Sequence, residues 1–196
     1  MRRSGWKEKG GLIAPFLLSS ALITIGVTGL KQTPILKNSN RAMDEYNFAT
    51  VWTLDAPIEV VWDALVASER WPEWWPYLDR VVELARGDSD GIGSIRHFTW
   101  HGSLPYTLAF EIMVTKIERP VHIEGVTSGD LEGIGRWTLA KIGEHSTHVQ
   151  YDWNVRTIRP WMKMIAPLAR WFFEWNHNRV MMAGGEGLAG YLRCRG

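Results

Sequence analysis

The chain predicts an α+β fold: a curved antiparallel sheet of about seven strands wrapped on one long C-terminal helix, with short helices after the first strand. Three observations lead there. A short amphipathic helix, Asp55 to Leu65, follows a single strand. Six strand-like runs separated by short turns then occupy 77–157. A helical tract opens at Arg159-Pro160 and runs to Leu192. Strands joined by short turns pair antiparallel, and a helix arriving last has to cover the apolar face they leave.

Tyr46 to Leu54 alternates and is rich in β-formers, so it reads as the first strand. Pro57 suits a first helical turn, where the N–H it lacks has no partner in any case. Asp55 and Glu59 place negative charge at the positive end of the helix dipole. Ile58, Val61, Trp62 and Leu65 fall at i, i+3, i+4 and i+7 and make one apolar stripe. Trp71-Pro72-Glu73-Trp74-Trp75-Pro76 is too stiff and too apolar for an ordinary solvated loop. Strands follow at Tyr77–Ala85, Ile92–His101, Tyr106–Glu118, Val121–Ser128, Gly133–Ile142 and His145–Thr157. Arg86 to Gly91 forms a turn, and Gly143-Glu144 joins the last two strands. Pro167 is expected to kink or split the long helix near its start. Gly184-Gly185 marks either a break in that helix or a site of close packing.

Alternation separates the sheet faces. Val149, Tyr151, Trp153 and Val155 share one side of the seventh strand, with His148, Gln150, Asp152, Asn154 and Arg156 on the other. Leu108, Phe110, Ile112 and Val114 share a face of the fourth strand, Phe98 and Trp100 of the third, and Trp137 and Leu139 of the sixth. On the long helix Trp161, Ile165, Leu168, Phe172 and Trp175 form a stripe expected to point at the sheet. Arg179 continues that stripe, and His177 falls opposite. An Arg on an apolar stripe has to be paired or reach water. A salt bridge to Glu186 or an end-of-helix snorkel is expected ahead of a role as anchor for a carboxylate or phosphate.

The Asp55–Leu65 helix entry and the Trp71–Pro76 segment, taken together, resemble the start of a helix-grip domain of the START-like (SRPBCC) superfamily, which includes polyketide cyclase/dehydrase-like proteins. The resemblance continues through Gly91-Ile92-Gly93-Ser94, Leu104-Pro105-Tyr106, Gly129 to Trp137 and Trp175-Asn176-His177, and covers Glu45 to Leu192. It implies an apolar ligand held between the sheet and the long helix. It implies no universal catalytic motif.

Lys and Arg total 22 against 21 acids, so the overall charge carries no sign of nucleic-acid binding. Twelve tryptophans are a heavy load for 196 residues, and they suit either a large curved-sheet core or an aromatic pocket. The single Cys194 forms no internal disulfide, and no Cys/His cluster has zinc-like spacing. Residues 1–42 differ in character from the domain proper, 43–196. Arg2, Arg3, Lys7 and Lys9 precede an uncharged run, 12–30, and Lys31, Lys37 and Arg41 follow it. A membrane anchor comes first among the readings, which would place the domain at a membrane. Next is a start at Met43, leaving a cytoplasmic domain, and then a secretory signal peptide. A buried helix comes last, because the run has no polar face.

The search for catalytic groups ends without an assignment. His97, His101, His122, His145 and His148 lie in turns or on polar strand faces. Glu111 faces inward only if the fourth strand carries a bulge; it would then serve as a general base with Tyr106 as hydrogen-bond donor. Gly129 to Gly133 lacks the spacing of a phosphate loop and suits a hairpin. The ligand-binding residues are therefore expected to be Trp74, Trp75, Phe98, Trp100, Tyr106, Phe110, Trp137, Tyr151, Trp153, Phe172, Trp175 and Arg179, with no cofactor and no metal. The Trp71–Pro76 segment is either a lid over the pocket or a plug of core under a loop. The expected function is non-catalytic carriage or sensing of a hydrophobic small molecule or lipid. A polyketide cyclase/dehydratase-like enzyme and a membrane-tethered protein-interaction domain are the alternatives.

Overall fold

The structure, a computed structural model, describes residues 45–101, 107–158 and 160–195, with the backbone alone described over 160–170. In chain order the elements are β1 (Glu45–Leu54), α1 (Ile58–Val66), a 3₁₀ turn (Ser68–Glu73), β2 (Leu78–Ala85), β3 (Ile95–Trp100), β4 (Leu108–Glu118), β5 (His122–Gly129), β6 (Leu131–Gly143), β7 (Ser146–Thr157) and α2 (Pro160–Arg193). The seven strands make one antiparallel sheet in the order β1-β7-β6-β5-β4-β3-β2. From β2 to β7 the chain is a meander, and β1 closes the far edge beside β7. The segment α1 with its 3₁₀ turn is what carries the chain from one edge of the sheet to the other.

The local reasons match the sequence. Pro57 caps α1, which then starts at Ile58 and buries Val61, Trp62 and Leu65. Two buried hydrogen bonds fix this crossing. The Thr147 hydroxyl donates to the Ala56 carbonyl at 2.7 Å, and the Trp71 indole N–H donates to the Leu65 carbonyl at 3.1 Å. β3 starts three residues later than expected, because 91–94 are used in a turn. There Gly91 and Gly93 take φ of 90° and 80°, and the Asp88 carboxylate accepts from the Asp90 and Ile92 amides. Gly129 to Gly133 is the β5–β6 hairpin, as expected. α2 runs through Pro167 as one helix, so the expected split does not occur. No helix among the described residues is long and apolar enough to cross a membrane, and the 12–30 run lies outside them.

The inward face of the sheet follows the alternation, with Phe98, Phe110, Trp137, Leu139, Val149 and Val155 buried. α2 is held against this face through Trp74 and Trp75, which are 5% and 2% exposed. The Trp75 indole N–H donates to the Val180 carbonyl at 2.9 Å. A Cβ on Gly184 would stand 2.3 Å from the Trp75 ring, and one on Gly187 would stand 1.7 Å from the Trp74 carbonyl oxygen. The glycines of α2 therefore mark close packing, not a break. Trp71, Trp74 and Trp75 are interlocked core, with ring centroids 5.3–5.9 Å apart. Of the two readings of Trp71–Pro76 the structure selects the plug, because opening a lid here would expose three buried indoles.

Glycine to alanine in a helix interior ordinarily stabilises by about 1 kcal/mol. At Gly184 and Gly187 the clash reverses the sign, and Gly184→Ala or Gly187→Ala should cost about 1–3 kcal/mol net. Gly190→Ala is the control: its Cβ meets only the Arg193 side chain, at 3.9 Å, and it should be neutral or stabilising. Urea unfolding of the three variants measures this; a stabilised Gly184→Ala would refute the packing described.

Candidate ligand cavity

Cross-strand register builds the cavity. Phe48 sits opposite Trp153, Trp137 opposite Tyr151, and Phe98 opposite Phe110, each pair on the inward face. These pairs bring rings within contact distance, the Trp137 and Tyr151 centroids being 4.1 Å apart and stacked. Between this layer and α2 lies a cavity of about 130 Å³. The sheet contributes Tyr46, Phe48, Phe98, Trp100, Leu108, Phe110, Ile112, Leu131, Trp137, Tyr151, Trp153 and Val155. Trp71 and Trp75 close one side, and α2 contributes Phe173, Asn176, His177, Val180 and Met181. Among the described residues no charged side chain lines it.

Seven of the expected binding residues line this cavity: Trp75, Phe98, Trp100, Phe110, Trp137, Tyr151 and Trp153. Trp74 is buried beside it in the core. Tyr106 lies outside the described residues. The helix assignment is corrected. Phe172 is half-buried and off the cavity, Trp175 is 43% exposed, and Arg179 is exposed. The face of α2 turned to the sheet carries Phe173, His177, Met181, Gly184 and Leu188. The apolar stripe misleads because α2 has apolar residues on both sides, and an inward histidine breaks the pattern on the true one. The glycines were the usable signal, since stepping back from Gly184 by helical turns reaches Val180, His177 and Phe173. Likewise Tyr46 and Phe48 follow from the alternation of β1.

Arg179 takes the structural part expected of it, with a different partner. It donates to the Tyr77 hydroxyl at 2.9 Å and lies over the Trp175 ring, 5.6 Å from its centroid. The inward cation is Arg96 instead. It lines a second space of about 500 Å³ between α1, the 3₁₀ turn and β3–β6. Its guanidinium donates to Glu69 and to the Ser94 hydroxyl, with Glu83 at 3.6 Å, so its charge is already met. Trp71, Phe98, Ile112, Trp137 and Tyr151 line both spaces and divide them. Inward Gly135 leaves the room that the Tyr151 hydroxyl uses, since a Cβ there would stand 2.6 Å from it.

Glu111 faces outward beside His97, 3.8 Å away, and the β4 bulge falls later, between Val114 and Lys116. The general-base role considered for it is thereby removed. His101 pairs with Asp79 at 2.7 Å on the surface. Among the described residues no group of three or more His, Cys, Asp or Glu is placed to hold a metal ion.

The polar groups that do face the cavity are shaped by burial. His177 is 7% exposed and stacked on Phe48, with centroids 3.8 Å apart and planes 14° from parallel. Trp153 flanks it, with centroids 5.7 Å apart. Removal from water penalises the imidazolium and pushes the His177 pKa down to about 3. Burial pushes the Tyr151 phenol the other way, above its ordinary value. Both are neutral at physiological pH.

A depressed histidine pKa has a signed consequence. Below an unfolded-state value near 6.5 the unfolded chain binds a proton at His177 that the native chain refuses. Stability from this group is thus complete above pH 6.5 and falls toward pH 3, by about 1.4 kcal/mol per pH unit. His177→Phe should flatten the dependence of the unfolding free energy on pH between 6.5 and 4.5; equal slopes in the two proteins would refute the buried neutral imidazole.

The comparisons agree with this architecture. The described fold resembles a crystal structure from Thermus thermophilus at 14% identity and a TM-score of 0.67, covering 76% of this chain and 99% of that one. It also resembles a START superfamily protein from Mycobacterium smegmatis at 17% identity and 0.60, covering 76% and 99%. The Zhui aromatase/cyclase from Streptomyces matches at 15% identity and 0.63, covering 77% and 95%. Identities this low speak to the fold alone. No curated protein matches the chain by sequence. Residues 47–190, most of the chain, match the family model described as polyketide cyclase / dehydrase and lipid transport, and the chain belongs to that family.

Proposed function

We propose that this domain binds an uncharged hydrophobic small molecule in the aromatic cavity under α2 and carries or senses it without chemical conversion. One observation carries the reading: a cavity walled by stacked aromatic rings in which no charged side chain is found among the described residues. Binding there would draw on burial of apolar surface at about 25 cal/mol per Å². A cyclase-like enzyme is the second reading, favoured by the presence of His177, Asn176 and Tyr151 in one cavity. The uncharged run 12–30 between basic flanks supports a membrane tether for the same domain.

Native mass spectrometry of the purified full chain, followed by solvent extraction, tests the first reading. An apolar adduct should be retained, and Val180→Trp, which fills the cavity from α2, should reduce its occupancy at least ten-fold. A chain that stays empty when offered hydrophobic compounds would sink the proposal, and release of an altered molecule would favour the enzyme. The tether has its own assay, flotation with phosphatidylcholine vesicles: the full chain should float and a 43–196 fragment should not.

A further inference from the structure

Among the described residues three cavity-lining side chains carry an unpaired buried nitrogen, the indoles of Trp100 and Trp153 and the imidazole of His177, and only the imidazole can either donate or accept. Its Nε2 is buried with no hydrogen-bonding partner among the described residues, and His177 itself lines the cavity. Leaving such an atom unpaired is costly, and native structures rarely tolerate it without a purpose. Its ring is stacked on Phe48 and flanked by Trp153, so the direction of its nitrogens is constrained by packing.

We infer that His177 is the polar anchor of the ligand site, and that the ligand is a planar, uncharged aromatic compound carrying a hydroxyl that pairs with Nε2. The inference rests on the cavity reading above and narrows it. Each term of the description has its own ground. Planarity follows from a lining made largely of aromatic rings, among them Phe48, Phe98, Phe110, Trp137 and Trp153, against which a flat ring packs best. Lack of charge follows from a lining whose described residues include no cation or anion, where a carboxylate or an amine would lose its hydration and gain no counter-charge. The hydroxyl follows from Nε2. As an acceptor it takes the hydroxyl proton, and as an N–H donor it reaches the hydroxyl oxygen, so one group serves either tautomer. Size follows from the volume of about 130 Å³, near the scale of an apolar cavity that holds a single benzene ring. Extension past the wall of Trp71, Phe98, Ile112, Trp137 and Tyr151 into the larger space would take a longer molecule.

A matched pair of probes isolates the hydroxyl. Toluene and p-cresol share a ring and a methyl group, and a purely apolar cavity favours toluene, because the cresol hydroxyl would be stripped of water for nothing. Calorimetric titration of the full chain should find p-cresol bound at least as tightly as toluene. In His177→Phe the cresol affinity should fall ten-fold or more while toluene changes by less than about three-fold. His177→Gln, which keeps a hydrogen-bonding end, should restore part of the cresol affinity. Should His177→Phe fail to fold, ¹⁵N-histidine spectra of the unsubstituted chain decide: the His177 Nε2 resonance should move on adding p-cresol and stay put with toluene. A ten-fold preference for toluene, or a cresol-to-toluene ratio unchanged by His177→Phe, overturns the anchor while leaving the apolar cavity standing. Failure of both probes to bind overturns the anchor and the cavity reading together.

Discussion

The contact on which the cavity depends is the one between Trp74-Trp75 and the glycines of α2. A helix packed on a sheet through ordinary side chains can roll about its axis and keep most of its apolar burial. Here it cannot, because Gly184 and Gly187 admit the Trp75 ring and the Trp74 backbone at distances no side chain would allow. The Trp75 N–H, donating to the Val180 carbonyl, sets the rotation as well as the distance. With that rotation fixed, Phe173, His177, Val180 and Met181 turn toward the sheet and Trp175 and Arg179 turn away. The same indole touches Trp52 and Trp100, so the clamp is continuous with the sheet core. The position of His177 in the cavity is thus set seven residues further along the helix, at Gly184.

This dependence explains which parts were legible in the sequence. Strand faces were readable because a period of two leaves little freedom: once Trp153 is inward, Tyr151 and Val155 must be. The faces assigned to β3, β4, β6 and β7 all hold in the structure, including Phe110 and Trp137. The face of α2 was not readable from hydrophobicity, since Phe172 and Trp175 on the outer side are as apolar as Phe173 and Met181 on the inner. Its orientation is written in residues with no side chain. Arg96 was missed for a related reason: alternation places it inward with Phe98 and Trp100, and a charged residue at such a position becomes plausible only once Glu69 is seen to reach it.

The electrostatics of the two inner spaces divide along the same line. Arg96 sits at the wider one with Glu69, Glu83 and Ser94 around it, a satisfied charge at the margin. The polar groups of the aromatic cavity, among the described residues, are neutral. A medium this apolar raises the cost of any charge formed in it, whether on a ligand or on the protein.

That cost bears on the choice between carriage and catalysis. General acid–base work is most effective when the catalytic group has a pKa near the working pH, so that it gives and takes a proton readily. Burial has moved His177 and Tyr151 away from that range. His177, at about 3, is a weaker base than a free imidazole, and Tyr151, pushed upward, is a weaker acid than a free phenol. Neither faces a charged side chain among the described residues of the cavity lining. As hydrogen-bonding partners the same groups lose nothing, because a neutral imidazole pairs with a hydroxyl without charge separation. The environment that disfavours charge on these groups is also one that suits a neutral aromatic molecule, which supports the binding proposed above.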